Sequence, residues 1–155
     1  MKLTLLIAVL TLALSLHAAN PEQAQSATAS SSSPVQQWSN QRKIQDLKDV
    51  VFDFDTHESA SEQAIIEANA QWLKDHPDVR IRLAGYTDIR GSIVYNLALS
   101  QRRADTIKQE LVRMGIAENR IEYATGWGEL YPNCTESTEG CWVRQRRVEF
   151  WRAIQ

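Results

Sequence analysis

The sequence has little of what marks metalloproteins, nucleic-acid binders and membrane spans. Its 155 residues include two cysteines and three histidines, and the C-x₆-C spacing of Cys134 and Cys141 matches no common zinc pattern. The net charge of −2 provides no broad attraction for nucleic acid or anionic lipid. We therefore expect no metal, no cofactor and no nucleic-acid partner. The hydrophobic fraction of 43% and the charged fraction of 23% are typical of a soluble globular domain.

A long apolar run is also missing, although a short one lies near the start. Leu3–Leu14 follows Lys2 and leads into small residues, which is the layout of a secretory signal peptide. The run is shorter than the roughly 20 residues that cross a bilayer. We therefore expect residues 1–19 to be cleaved near Ala18 or Ala19, with a retained anchor as the alternative. No cysteine near this point offers a lipid site, so we expect a soluble periplasmic protein without a membrane span.

The next segment, residues 20–47, starts with almost no large apolar side chains and includes the run Ser30–Pro34. Such a composition cannot bury enough surface to order itself, which predicts a flexible linker followed by a lead-in from Trp38 onward. The folded domain is expected over residues 48–155.

Hydrophobic periodicity within this domain predicts four strands and two long helices. The predicted strands are Val50–Phe54, Val79–Leu83, Ile121–Tyr123 and Val148–Trp151; one helix follows a capping-box pattern at Ser59–Glu62 and ends at His76, and the other covers Val94–Met114. The economical arrangement is an α+β two-layer sandwich, in which a mixed four-stranded sheet carries both long helices on one face.

The two cysteines lie close together in a polar segment that is rich in turn residues. In an oxidising compartment, Cys134 and Cys141 are expected to form one disulfide that closes this loop. A pair of free thiols is the alternative.

A polar stripe follows the second predicted strand. Asp88 leaves that strand, Gly91 allows a turn, and Asn96, Ser100 and Arg103 then recur at spacings of four and three on one helix face. If the turn folds back over the stripe, a carboxylate and a guanidinium flank one cleft and can hold the ammonium and carboxylate of an amino acid. No nucleophile with an adjacent base lies beside them, which predicts binding without catalysis.

Two ordinary interpretations compete with this one. Asp88 and Arg103 could pair directly with each other, or Arg103 could be a solvated charge on the helix surface.

The segment Thr87–Ala104 reads Thr-Asp-x-x-Gly-x-x-x-Tyr-Asn-x-x-Leu-Ser-x-x-Arg-Ala and resembles the signature of the OmpA-like peptidoglycan-binding domain. The resemblance extends over about residues 49–152 and includes a cysteine pair in the loop before the last strand. The sequence departs from the family pattern at two positions: Tyr86 stands where histidine is usual, and Gln145 stands where asparagine is usual. Tyr86 is expected to alter the cleft wall, and Gln145 the hydrogen bonds of the loop.

The resemblance implies a βαβαββ domain that binds the diaminopimelate of the peptidoglycan peptide stem without catalysis and places the protein at the cell wall. Asp88 and Arg103 match the ligand-gripping residues of the family. Five further positions match residues that line or edge the cleft: Thr87, Tyr95, Asn96, Asp53 and Phe54. Any association with the outer membrane would then depend on a partner protein.

Two other functions are alternatives to this one. Asp53–Thr56 after an apolar strand resembles the nucleophile motif of haloacid-dehalogenase phosphatases, but the domain is short for that fold and no paired-aspartate magnesium motif follows. The domain could also be an adapter whose main partner is another envelope protein.

Overall fold

Four strands and three helices follow one another along residues 42–153, the part of the chain that the computed structural model describes. Two 3₁₀ turns, Ala60–Glu62 and Glu118–Arg120, precede the first helix and the third strand. The elements in chain order are β1 Val50–Val51, α1 Gln63–Asp75, β2 Ile81–Gly85, α2 Ile93–Arg113, β3 Ile121–Gly126, α3 Glu139–Gln145 and β4 Arg147–Arg152. The predicted signal peptide and the linker up to residue 41 lie outside the described residues.

The strands form one mixed four-stranded sheet, as the sequence predicts, and their order is β1-β4-β2-β3. β4 is antiparallel to both β1 and β2, whereas β2 and β3 are parallel. Parallel neighbours need a long crossover connection, and α2 provides it. No helix within residues 42–153 has the length and apolar character needed to span a membrane.

Both long helices contribute to the same core, which confirms that they pack on one side of the sheet. Ile66 and Leu73 of α1 and Ile107 and Leu111 of α2 are all fully buried in one hydrophobic cluster with residues of β2 and β4. Spacings of seven residues on α1 and four on α2 place each pair on a single apolar helix face. The core therefore fixes α2 against the sheet.

The lead-in before β1 also contributes to this core. Ile44 and Leu47 are 7% and 3% exposed and belong to the same cluster. Lys43 forms an isolated antiparallel bridge with Trp151 of β4. Ordered packing therefore begins a few residues before position 48, where the folded domain was expected to start.

Three local predictions need correction. β1 ends at Val51 and not at Phe54: the N–H of Phe52 still donates to the carbonyl oxygen of Arg146 at 2.8 Å, but a turn follows in which Asp55 has a φ of +59°. Ser59 gives no side-chain cap, and a 3₁₀ turn leads into α1 instead. Helix α3, which the sequence did not predict, lies inside the cysteine loop and begins after Thr138, whose hydroxyl accepts from the N–H of Cys141 at 3.3 Å.

α2 lies very close to the sheet at two glycines. A Cβ added at Gly85 of β2 would lie 2.2 Å from the carbonyl oxygen of Ser100, and one at Gly126 of β3 would lie 2.3 Å from the backbone nitrogen of Gln101. Only a residue without a side chain fits at such distances. This contact places the middle of α2, with Arg103, beside the end of β2.

Candidate functional site

A cavity of about 340 Å³ lies beside the end of β2, along the N-terminal half of α2. Its walls come from the segment after β1, the turn after β2, α2 and the residue before β4. The residues that line it are Phe54, Asp55, Thr87, Asp88, Arg90, Gly91, Tyr95, Asn96, Leu99, Arg103 and Arg146. Six of the seven residues predicted for the site are among them; Asp53 is not.

The turn that carries Asp88 is held from two sides. The N–H of Thr87 donates to the carbonyl oxygen of Gly128 at 2.8 Å. The side-chain amide of Asn96 donates to the backbone carbonyl oxygen of Asp88 at 3.3 Å and to Glu129 at 2.6 Å. Asn96 therefore orients the turn and is itself only 1% exposed.

Gly91 and Ser92 set the direction in which the chain enters α2. Gly91 has a φ of +110°, a conformation that residues with a side chain rarely adopt. The hydroxyl of Ser92 accepts from the N–H of Tyr95 at 3.2 Å and caps the helix. Asp88 and Asn96 consequently end up on the same side of the cavity.

Arg103 is completely buried and donates to three backbone carbonyl oxygens. Its Nε bonds Thr56 at 2.8 Å, and its two terminal nitrogens bond Tyr86 at 2.9 Å and Asp53 at 3.0 Å. A guanidinium has five N–H groups, so two remain for other acceptors. Burial, reinforced by the charge of Arg146, lowers the pKa of Arg103 to about 10, so it stays protonated at neutral pH.

Asp88 is 3% exposed and forms its ion pairs with Arg90 and Arg146, not with Arg103. Burial alone would raise the pKa of Asp88, but hydrogen bonds from Arg90 and Arg146 outweigh it and hold the pKa below the ordinary 3.8. Both competing interpretations of the polar stripe are therefore wrong: Arg103 neither pairs with Asp88 nor is solvated. The two charges face one cavity, each held by other groups.

Arg146 completes the buried wall, and sequence reasoning left it out of the site. It donates to Asp88 at 3.2 Å, to the carbonyl oxygen of Phe52 at 2.9 Å and to Glu139 at 2.8 Å. Its neighbour Arg147 does not line the cavity.

Arg90 was not anticipated either. Its guanidinium stacks between two rings, 3.9 Å from the centre of Phe54 and 4.2 Å from that of Trp142. It also forms a two-pronged pair with Asp88, through Nε at 3.1 Å and a terminal nitrogen at 2.8 Å. Nothing in the local pattern signalled these contacts, since Trp142 lies on the unpredicted α3.

Of the remaining predicted residues, Phe54 and Tyr95 line the cavity and Asp53 does not. Tyr95 donates its hydroxyl hydrogen bond to the carboxylate of Asp55. Phe54 is 56% exposed. Asp53 has an exposed side chain and contributes only its carbonyl oxygen, which accepts from Arg103.

The two departures from the family pattern lie outside the cavity lining. Tyr86 does not contribute to the wall; its buried ring lies 4.2 Å beneath the guanidinium of Arg147, and burial raises the pKa of its hydroxyl. Gln145 donates to the carbonyl oxygen of Cys134 at 2.9 Å and so supports the cysteine loop.

The predicted disulfide between Cys134 and Cys141 is present. These cysteines and Glu136 form the one group of three metal-ligand side chains found close together within residues 42–153. Both sulfur atoms are committed to the disulfide, so neither is available as a thiolate ligand.

Comparison with known proteins identifies relatives of this domain. Residues 51–146 match the model of the OmpA family. A peptidoglycan-associated lipoprotein of Legionella pneumophila is 40% identical over 85 residues, which cover 55% of this chain and 48% of that protein. Outer membrane porin F of Pseudomonas fluorescens is 38% identical over 109 residues, 65% of this chain and 31% of that protein. The chain thus spans about half the length, or less, of these two curated relatives.

Solved structures share the fold. The crystal structure of the peptidoglycan-associated lipoprotein from Burkholderia pseudomallei superposes with a TM-score of 0.64 at 34% identity, over 68% of this chain and 90% of that chain. The C-terminal domain of Helicobacter pylori MotB reaches the same TM-score at 19% identity, over 70% of this chain and 85% of that one, and therefore supports the fold alone.

Proposed function

The chain belongs to the OmpA family, and from this premise we propose that its folded domain binds peptidoglycan by gripping the zwitterionic end of diaminopimelate in the peptide stem. Several of its relatives are named peptidoglycan-associated lipoproteins, which supports peptidoglycan as the ligand. The choice of diaminopimelate within peptidoglycan depends on the chemistry of the cavity.

One observation carries the proposal: Asp88 and Arg103 line the same cavity without neutralising each other. A carboxylate is an acceptor for an ammonium group, and the two remaining N–H groups of Arg103 are donors for a carboxylate. Diaminopimelate carries a second amino-acid end, in which both groups sit on one carbon. A cavity of about 340 Å³ is large enough for such an end.

The balance of charge around the cavity also favours a ligand that contains a carboxylate. Three arginines, Arg90, Arg103 and Arg146, face it together with two aspartates, Asp55 and Asp88. A cation without a carboxylate would enter against this excess of positive charge, whereas a zwitterion adds no net charge.

The assignment to the OmpA family confirms that the chain is not an enzyme, as expected, and excludes the phosphatase alternative. The carboxylate of Asp53, which would have to be the nucleophile, is exposed and does not line the cavity. Peptidoglycan lies outside the cytoplasmic membrane, so the proposed ligand implies a periplasmic location. A second envelope protein as partner is an additional proposal that this cavity does not address.

The proposal is tested with the Asp88→Asn variant in a pull-down with isolated sacculi. This change keeps the shape of the side chain but removes the charge that attracts an ammonium, so we expect retention to fall at least tenfold. Free meso-diaminopimelate should compete with sacculi for the unmodified protein.

The matched control is Asp78→Asn, which removes one carboxylate at an exposed position. Circular dichroism of both variants shows whether the fold is kept. Equal retention of folded Asp88→Asn and of the control would overturn the proposal.

A further inference from the structure

The carboxylate of Asp88 has every acceptor position filled. Oδ1 accepts from the backbone N–H and the Nε of Arg90, both at 3.1 Å. Oδ2 accepts from a terminal nitrogen of Arg90 at 2.8 Å and from Arg146 at 3.2 Å. A carboxylate offers about four lone-pair positions. An ammonium group that binds Asp88 must therefore first displace one of these donors.

Arg90 is the donor that can leave. The side chain of Arg146 is 5% exposed and is also held by the carbonyl oxygen of Phe52 and by Glu139. The side chain of Arg90 is 31% exposed, and its other polar contact is a long one, 3.7 Å to Glu139. Moving Arg146 would break three hydrogen bonds, two of them buried, whereas moving Arg90 exchanges one ion pair at the cavity mouth.

We propose that Arg90 is a specificity-determining residue: it occupies the ammonium position on Asp88 and yields that position only to a ligand that brings a carboxylate for the displaced guanidinium. The inference deepens the proposed function and rests on it. The guanidinium stands where the ligand's ammonium will bind, so Arg90 competes with every incoming cation.

A plain amine and a zwitterionic ligand have different effects on Arg90. When a plain amine binds Asp88, the displaced guanidinium of Arg90 loses its carboxylate partner and lies beside two further arginines. A zwitterionic ligand supplies a new carboxylate within the same cavity, so the guanidinium exchanges one partner for another. Phe54 and Trp142 keep the guanidinium stacked at the cavity mouth, within reach of that new partner. Arg90 thus selects against ligands in which this carboxyl group is blocked.

The test compares two synthetic stem peptides by isothermal titration. One ends in meso-diaminopimelate with its second amino and carboxyl groups free, and the other carries that carboxyl group as a carboxamide. We expect the full-length protein with its natural Arg90 to prefer the free carboxyl form by tenfold or more.

In Arg90→Met, which keeps an apolar chain between the two rings, we expect the carboxamide peptide to gain affinity and the preference to fall at least fivefold. Arg90→Lys retains a cation on Asp88 and should keep most of the preference. Arg113→Met, at an exposed end of α2, controls for the loss of one positive charge.

The outcomes separate the two proposals. An unchanged preference in Arg90→Met, with both peptides still bound, overturns the role of Arg90 and leaves the proposed function intact. If the protein with its natural Arg90 binds neither peptide, the proposed function fails, and the inference fails with it.

Discussion

Arg146 donates a hydrogen bond to the carboxylate of Asp88 at 3.2 Å, and so joins the turn after β2 to the residue before β4. Both side chains are at most 5% exposed. The same guanidinium reaches Phe52 and Glu139, so one side chain connects the segment after β1, the turn after β2 and α3. The cavity wall opposite α2 is therefore organised around a single buried cation.

The pH below which ligand binding is lost is expected to be set by the protonation of Asp88. The pKa of Asp88 is held below 3.8, so its charge, and the stability it contributes, are present above that value and are lost as the pH falls through the lowered pKa. The groups that face it are Arg90, Arg103 and Arg146, with Glu139 beyond them. The midpoint of the loss of binding, measured by calorimetric titration at a series of pH values, should therefore lie below pH 3.8.

Arg90→Met provides the matched test of this pH dependence. Without the two side-chain hydrogen bonds of Arg90, only the backbone N–H of residue 90 and Arg146 oppose the effect of burial. The pKa of Asp88 should therefore rise, and binding should be lost at a higher pH than in the unmodified protein. Identical acid limits in the two proteins would contradict the assignment of Asp88 as the titrating group.

The disulfide is expected to support ligand binding as well as stability. Closing a short loop contributes about 2–3 kcal/mol to the free energy of unfolding. Cys141 lies on α3, next to Trp142 and close to Glu139, which hold Arg90 and Arg146 in place. Replacing both cysteines by serine should therefore lower urea resistance and weaken binding of the free-carboxyl peptide several-fold.

A reducing agent provides the control for this prediction. It should affect the unmodified protein in the same direction and leave the double serine variant unchanged. Full binding by the reduced, folded protein would show that α3 keeps its position without the disulfide.

The contact between α2 and the sheet predicts a strong effect at Gly126. In Gly126→Ala, the new methyl group would meet the backbone of Gln101 and the hydroxyl of Ser100 at 2.3–2.7 Å. Overpacking of this kind costs about 1–3 kcal/mol, and here it must also push α2 and Arg103 away from β2. We expect both a lower free energy of unfolding and weaker ligand binding, measured by urea titration and calorimetry.

Gly140→Ala is the matched control, because an added Cβ there meets nothing within 4 Å and the residue lies within α3. Alanine favours a helix over glycine by about 0.5–1 kcal/mol, so this variant should be as stable as the unmodified protein or slightly more so. Equal stability of the two glycine variants would contradict the close-contact argument.

Most of the fold could be predicted from the sequence because its long elements have regular patterns. In α2, and in the alternating segment that contains the start of β2, apolar residues recur often enough to show which face is buried. α3 has only seven residues, too few for a periodic pattern, and its start depends on Thr138 within a loop. The early end of β1 could not be predicted, because the apolar side chains of Phe52 and Phe54 continue the strand pattern into the turn.

Only the part of the candidate site that lies within one short sequence motif could be predicted. Asp88, Asn96 and Arg103 share one motif, so their convergence follows from a single turn and one helix face. The partners of Asp88 depend on distant contacts: Arg146 lies 58 residues away, and Arg90 is held by Trp142 of α3. The three carbonyl oxygens that bind Arg103 come from loops whose conformation no short pattern specifies.

The cavity is assembled from four separate stretches of the chain. An unfolded chain brings none of them together, so a compound that fills the cavity binds the native state alone and shifts the unfolding equilibrium by mass action. At a ligand concentration one hundred times the dissociation constant, the native state gains about 2.7 kcal/mol. Heat denaturation of the purified domain could therefore rank small amino-acid-like compounds as occupants, without sacculi, labels or immobilisation.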